Sequence, residues 1–338
     1  MQNVFLAIFA LIWSAITLVM NVSIAHDVGR QFDSRHFPSV DGIVTHSEVA
    51  IHHGSKGRIS YSADIEYSFK LGRIHYNGSR LRFNNSTQGS GENQAQVLVD
   101  AHPAGSSVPV YYDPHNPEES LLFPGITGME FFPGLFLTPF NCIMLGFLFW
   151  LGGSLRELIF HPVAGGVKIF SDGLNTHVRL PQLSVFYWGL LTTGGMAFVS
   201  IFIVGFSTGM QPSIPLAVAS LVLVYLAGLA TALWQWFKIR QGVDDLLIND
   251  TAGTLELPLT FGRKERLTIR FGAVESVFVE QIVHRSSKGG ISYTYAPTLQ
   301  LRGGEPSQHK LADWGDRRRA DDLADWLRRQ LRLETATG

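Results

Sequence analysis

Residues able to do chemistry are thinly spread in this sequence. Of the 12 histidines several cluster early, among them His46, His52, His53 and His75. Imidazoles hold a metal only when several converge on one point. His52 and His53 are neighbours in an alternating segment, so they point to opposite faces. His46 and His52 can share a face, about three pleats apart. That pattern favours unlinked surface histidines over a metal centre. Asp113 with Glu118 or Glu119 could form an acid–base pair, which must flank a substrate at a set distance. They sit in "DPHNPEES", a proline-rich turn in which capping and solvation account for them. Cys142 is the one cysteine, which excludes a disulfide framework, a thiolate zinc site and a CxxC redox pair. No phosphate-cradling glycine loop, HExxH pair or nucleophile elbow occurs. The expectation is therefore no catalytic, metal or cofactor-binding residues and no cofactor.

The elements that would have to position any site are mostly apolar. Only 16% of the 338 residues are charged, against roughly 25% in ordinary soluble chains. The hydrophobic residues gather in four runs: 4–25, about 131–151, 183–206 and 214–237. Each meets the ~20 residues that a helix needs to cross a bilayer. Trp150, Trp188, Trp234 and Trp236 sit near run ends, where indoles favour the membrane interface. The first run could be a signal peptide cleaved after Ala25. It lacks a basic start, however, and exceeds the ~7–15 residues of a signal core. Pro133, Pro139 and Asn141 predict a kink in the second run, with a re-entrant segment as the alternative. The spans carry hydroxyls and amides but no clearly internal charge. Gly194 and Gly195 suit close helix packing. Basic residues Arg156, Lys168 and Arg179, then Lys238 and Arg240, place segment 153–182 and the C-terminus on the cytoplasmic side. Region 26–130 then faces outward. The net charge of −1 gives no pull toward nucleic acid, and none is expected as a partner.

Region 26–130 reads as β. In "RISYSADIEYSFKL" the residues Ile59, Tyr61, Ala63, Ile65, Tyr67 and Phe69 share one face, the mark of a half-buried strand. Turns at Asp113-Pro114 and Asn116-Pro117 follow a short strand, "VPVYY". A small antiparallel barrel or sandwich of about five strands is expected. Region 238–338 reads as further strands closed by a helix. From Asp316 onward, Ala320, Leu323, Ala324, Leu327 and Leu331 form one apolar stripe, with Asp316 as N-cap or first-turn acid. Interleaved aspartates pair with the helix arginines, which favours packing on its own sheet over lying on lipid.

The ordered run "GSSVPVYYDPHNPEESLL" from Gly105 to Leu122, preceded by "FPSVDGIVTHSEV" and "YSADIEYSFKLGRIHYNG", resembles the bacterial domain-of-unknown-function family 3592 (DUF3592). The resemblance covers about residues 1–150. It implies a bacterial membrane protein with a small β domain and supplies no activity and no site residues. More weakly, the C-terminal strands and helix resemble a pleckstrin-homology-like domain.

One repeat stands apart. "SKGRISY" at 55–61 returns as "SKGGISY" at 287–293, with Glu48/Glu280 and His52/His284 at matching offsets. Ser, Gly and Lys suit a solvated strand reversal, so a good turn used twice is the simplest account. A duplicated hairpin and two similar binding tips are the alternatives. The organisation expected is 1–25 span one, 26–130 β domain, 131–152 span two, 153–182 loop, 183–207 span three, 214–237 span four and 238–338 a β domain with a terminal helix. The function expected is a non-enzymatic scaffold of the bacterial inner membrane, with the lipid bilayer and other proteins or further copies as partners. A transport accessory or oligomeric pore, and a membrane enzyme whose site forms only on folding, are the alternatives.

Overall fold

The computed structural model describes residues 2–53, 59–83, 92–159, 166–209, 211–285, 290–303 and 306–333. The chain divides into two compact units. One is Met1–Phe147 with Leu190–Ala227; the other is Leu148–Gly189 with Gly228–Gly338. The described elements are mixed. Four helices are long and apolar enough to cross a membrane: α1 (Gln2–Asp33), α3 (Phe132–Ile159), α4 (Val185–Thr208) and α5 (Ile214–Arg240). The others among the described residues include two shorter α-helices, short 3-10 turns and the strands of three antiparallel sheets.

In the first unit the strands are β1 (Ser39–His53), β2 (Ile59–Leu71), β3 (Ile74–Gly78), β4 (Ser107–Asp113) and β5 (Asn116–Leu121). They form one open sheet in the order β3-β2-β1-β4-β5. This corrects the expected barrel: β3 and β5 are edges and do not pair with each other. The alternation in β2 puts Ile65, Tyr67 and Phe69 in the core with Val44, Val108 and Val110. Helix α2 (Glu92–Ala101), absent from the sequence reading, packs Ala95 and Leu98 over this face. It begins within the polar stretch 84–94, whose residues 84–91 lie outside the described ones.

Helix α1 outruns its apolar run by two polar turns, and those turns are anchored in the β domain. Gln31, fully buried, donates to the carbonyls of Phe123 (2.8 Å) and Gly125 (2.7 Å) and accepts from the Phe83 amide (2.9 Å). A second tie runs to the start of α3. Arg82 donates to buried Glu130 at 2.9 and 3.1 Å and to the Gly125 carbonyl. The other Glu130 oxygen accepts from the amide and hydroxyl of Thr127, forming a capping box. Within the apolar helices, Asn141 exchanges amide bonds with Asn21 at 2.7 and 3.1 Å, and Trp13 stacks on Phe140. Helix α3 is continuous, with Pro139 inside it. Of the paired glycines, Gly194 meets Cys142, whereas Gly195 faces open space.

In the second unit, segment 153–182, expected as a loop, contributes two strands. β6 (Lys168–Ser171) and β7 (Thr176–Arg179) join β8 (Asp245–Asn249), β9 (Thr254–Leu257) and β10 (Leu267–Arg270) in one sheet, ordered β10-β9-β8-β7-β6. Arg179 locks the β7–β8 pairing by holding fully buried Asp245 at 3.2 and 3.3 Å and the Ile239 carbonyl at 2.9 Å. The last sheet is β11 (Val274–Arg285), β12 (Ile291–Leu301) and β13 (Gln308–Lys310). Helix α6 (Arg317–Gln330) covers it. Asp316 caps its start, accepting from the Arg318 amide. Its stripe of Ala320, Leu323, Ala324 and Leu327 is wholly buried. Burial of each leucine is worth about 1.5–3 kcal/mol.

Candidate functional site

Two strand pairs extend past the sheets that carry them. β4 pairs with β1 only over Ser39–Ile43, and β3 pairs with β2 only over Tyr67–Leu71. Past the irregularity between Val44 and His46, β1 and β2 continue as a two-stranded arm to His53 and Ile59. In the second unit β13 pairs only with Thr298–Gln300, and Trp314 bridges Tyr295. Beyond that, β11 and β12 continue as an arm to Arg285 and Ile291. The SKG residues themselves, 55–57 and 287–289, lie outside the described residues.

The two arms match pair by pair. On one face Ile51 opposes Tyr61 and His53 opposes Ile59; in the second arm Val283 opposes Tyr293 and Arg285 opposes Ile291. Ile51, Ile59, Val283, Ile291 and Tyr293 are all exposed. On the opposite face the His52 ring nitrogen lies 2.8 Å from the Ser62 hydroxyl. Its counterpart is His284, 2.9 Å from the Thr294 hydroxyl. The letters that repeat in the sequence are thus part of a longer structural repeat. It includes Ser62/Thr294, which a search for identical letters passes over. Each arm is amphipathic across its thickness, because cross-strand partners share a face.

His52 beside Ser62 is the geometry that activates a hydroxyl as a nucleophile. That chemistry also needs a group orienting the second imidazole nitrogen. Among the described residues no hydrogen bond holds that nitrogen. The recurrence as His284–Thr294 assigns the pair to arm geometry.

The remaining sequence candidates separate. His46, Glu48 and Asp64 share the polar face of the first arm, with ligand atoms within 4.8 Å of one another. They could approach one cation together. The three are at the surface, and His46 lies 3.5 Å from Glu48 as an ion pair when protonated. His53 points to the opposite face, as adjacency requires, and His75, on β3, pairs across to Lys70 on β2. Asp113 accepts from the His115 amide as a turn cap. Glu119 forms an ion pair with Arg30.

Glu118 instead lines a polar cleft of about 750 Å³ beside the first arm, with Asp27, Arg30, His52, Asn77 and Arg80. Its charges are mixed. Arg30 and Arg80 both approach the ring of Phe83, at 4.1 and 5.0 Å. Buried Tyr67 bonds to two of the lining residues, donating to the Arg80 carbonyl (3.0 Å), with its hydroxyl 3.2 Å from that of Ser120. Burial pushes its phenol up to about 12, so it stays a neutral donor. Gly78 permits this approach: a Cβ there would lie 2.6 Å from the Tyr67 ring. Sequence reasoning missed Arg30, Arg80 and Tyr67 as a group, because the contacts join residues far apart in the chain.

No curated protein matches the chain, and no solved structure does. The stretch from Val40 to Thr127 contains the whole open sheet apart from the first residue of β1, together with α2 and the first arm. Residues 40–127 match the family model described as Domain of unknown function (DUF3592).

Proposed function

We propose that the protein is a non-enzymatic scaffold of the bacterial plasma membrane, crossing it four times and docking protein chains on its two arms. One observation carries this reading: in two different sheets the arms set exposed aliphatic residues at equivalent places beside a tyrosine, Ile51 and Ile59 in one and Val283 and Ile291 in the other. An exposed ribbon with an apolar face and free edges is a liability in an isolated protein. It is useful where another chain covers it. The partners are other envelope proteins or further copies of this chain.

The orientation follows from basic residues near span ends, which put the C-terminal strands in the cytoplasm and region 26–130 outside. Pairing of β7 with β8 supports one side for segment 153–182 and the C-terminal strands, since a sheet forms in one compartment. Three spans separate the arms, so they sample different compartments.

The test is a photoreactive amino acid placed in cells at Tyr61 or Tyr293 on the apolar faces, and at Ser60 or Ser292 on the polar ones. The reading expects discrete protein adducts from the tyrosine positions and few from the serine positions. Equal yields from both faces, or none from either, would refute it.

A further inference from the structure

The second unit contains a cavity of about 580 Å³, separate from the arms. The turn from Phe261 to Leu267, between β9 and β10, forms one wall; Pro306 to Lys310, around β13, forms the other. Its lining carries four cations, Arg263, Lys264, Arg266 and Lys310, against one carboxylate, Glu265. The two guanidinium groups are held by neutral partners. Arg263 donates to the carbonyls of Pro258 (2.8 Å) and Lys310 (3.2 and 3.3 Å) and to the Thr260 hydroxyl (2.8 Å). Arg266 donates to the carbonyls of Gly242 (2.6 Å), Val243 (3.1 Å) and Asp245 (3.2 Å). These bonds fix the position of each charge without cancelling it. Lys310 lies 3.1 Å from Glu280, and Lys264 is exposed. Burial first, and Arg263 second, push the His309 imidazole below its ordinary value, so it enters the lining as a neutral group at pH 7.

Two further observations say what would fill the cavity. The turn exposes Leu259 and Phe261, and Phe261 holds a left-handed backbone, with φ of 54°, that a bulky residue adopts only at a cost. The Arg263 guanidinium stands 5.9 Å from the centre of the Phe261 ring, and the apolar surface that the ring and Leu259 still expose is what a lipid interface covers. Arg266 also ties the cavity to residues 242 and 243, just beyond the end of α5 at Arg240. The final turns of α5 carry Trp234, Trp236, Lys238 and Arg240, with the Arg240 guanidinium over the Trp236 ring at 5.1 Å. Aromatic rings followed by cations mark the passage from hydrocarbon into the headgroup layer.

We propose that this cavity binds the phosphate of an anionic phospholipid from the bilayer that α5 crosses. Arg263, Lys264 and Lys310 face the headgroup, and Leu259 and Phe261 enter the interface. The proposal rests on the membrane reading of α5. The shared chemistry is a phosphate oxyanion, so soluble phosphate is the competing source.

The test uses the full chain in nanodiscs of phosphatidylcholine alone, of phosphatidylcholine with phosphatidylglycerol, and of phosphatidylcholine with millimolar inorganic phosphate in the buffer. Acylation of Lys264 is read by mass spectrometry, with exposed Lys168 of the same unit as the control for general surface potential. Phosphatidylglycerol is expected to slow Lys264 acylation by about fivefold relative to Lys168, the effect of one interfacial cation contact. In native mass spectrometry, Lys264→Glu should retain about fivefold less phosphatidylglycerol than the unchanged chain. Equal acylation in all three discs overturns the proposal, as does equal protection by inorganic phosphate alone, which reassigns the cavity to a soluble anion. A chain that does not enter discs overturns the membrane reading along with it. A chain that inserts but shows no headgroup dependence overturns the cavity proposal only.

Discussion

Replacing Glu130 with Gln probes how firmly the β domain is fixed to α3. Glu130 is almost fully buried at its side chain (1% exposed), and its partner Arg82 is 10% exposed. One carboxylate oxygen takes both Arg82 bonds, and the other takes the Thr127 amide and hydroxyl. All four contacts are donors aimed at the acid. A glutamine amide can serve only one of the two sets, because its nitrogen faces a donor in either flip. The Arg82 charge then stays buried without a counter-ion, which costs about 3–5 kcal/mol. For a chain of 338 residues, at about 2.1 cal/mol/K of unfolding entropy per residue, that lowers the unfolding midpoint by roughly 4–7 °C. The control is the double variant Arg82→Met with Glu130→Leu, which removes both charges and keeps apolar bulk. It should recover to within about 1–2 kcal/mol of the parent, the remainder being the lost cap and the lost Arg82 bond to the Gly125 carbonyl, which keeps its bond from Gln31. Tryptophan fluorescence during heating in nanodiscs reads both. The reasoning fails if Glu130→Gln melts with the parent, or if the double variant is as unstable as the single one.

Three further outcomes follow from the same contacts. Gly128→Ala should abolish stable folding, because its Cβ would overlap the Pro212 carbonyl oxygen and lie 2.7 Å from that carbonyl carbon; Gly195→Ala, facing open space, should melt within about 0.5 kcal/mol of the parent. Asn141→Leu should cost about 1 kcal/mol in detergent unfolding by leaving the Asn21 side-chain oxygen without its donor while its nitrogen keeps the Thr17 carbonyl, and adding Asn21→Leu should recover it. The Asp172 carboxylate is held well below its ordinary range by the Asn175 amide, then by His177 and the Leu174 amide. With the folded value depressed, this contribution is complete above pH 3.8 and lost as pH falls through the folded pKa. A carboxyl NMR titration should therefore give a midpoint well below 3.8, and a midpoint at or above it would contradict the assignment.

The parts legible in the sequence are those coded locally. Apolar runs long enough for a bilayer became α1, α3, α4 and α5, and the alternation of Ile65, Tyr67 and Phe69 became the buried face of β2. The apolar stripe from Ala320 to Leu331 became the buried face of α6. What stayed hidden depends on pairing across long separations. β6 and β7 are four residues each and gain their place only by pairing with β8, beyond two apolar helices. Helix α2 buries a single alanine fully, too little to write a stripe. Arg82 and Glu130 stand 48 residues apart, and Arg263 reaches the carbonyl of Lys310, 47 residues on. The repeat was half legible: Ile59 and Tyr61 match by letter, whereas Ile51 with Val283 and Ser62 with Thr294 match only in role.

The proposed function has one chain display two similar arms on opposite sides of a membrane. Side-specific labelling tests it most directly. In a Cys142→Ser background, single substitutions Ile59→Cys and Ile291→Cys put thiols at two exposed, equivalent positions near the arm ends. The account predicts that an impermeant maleimide on intact cells modifies the first, and the second only after the plasma membrane is opened. Equal modification of both in intact cells would place the arms in one compartment and contradict it.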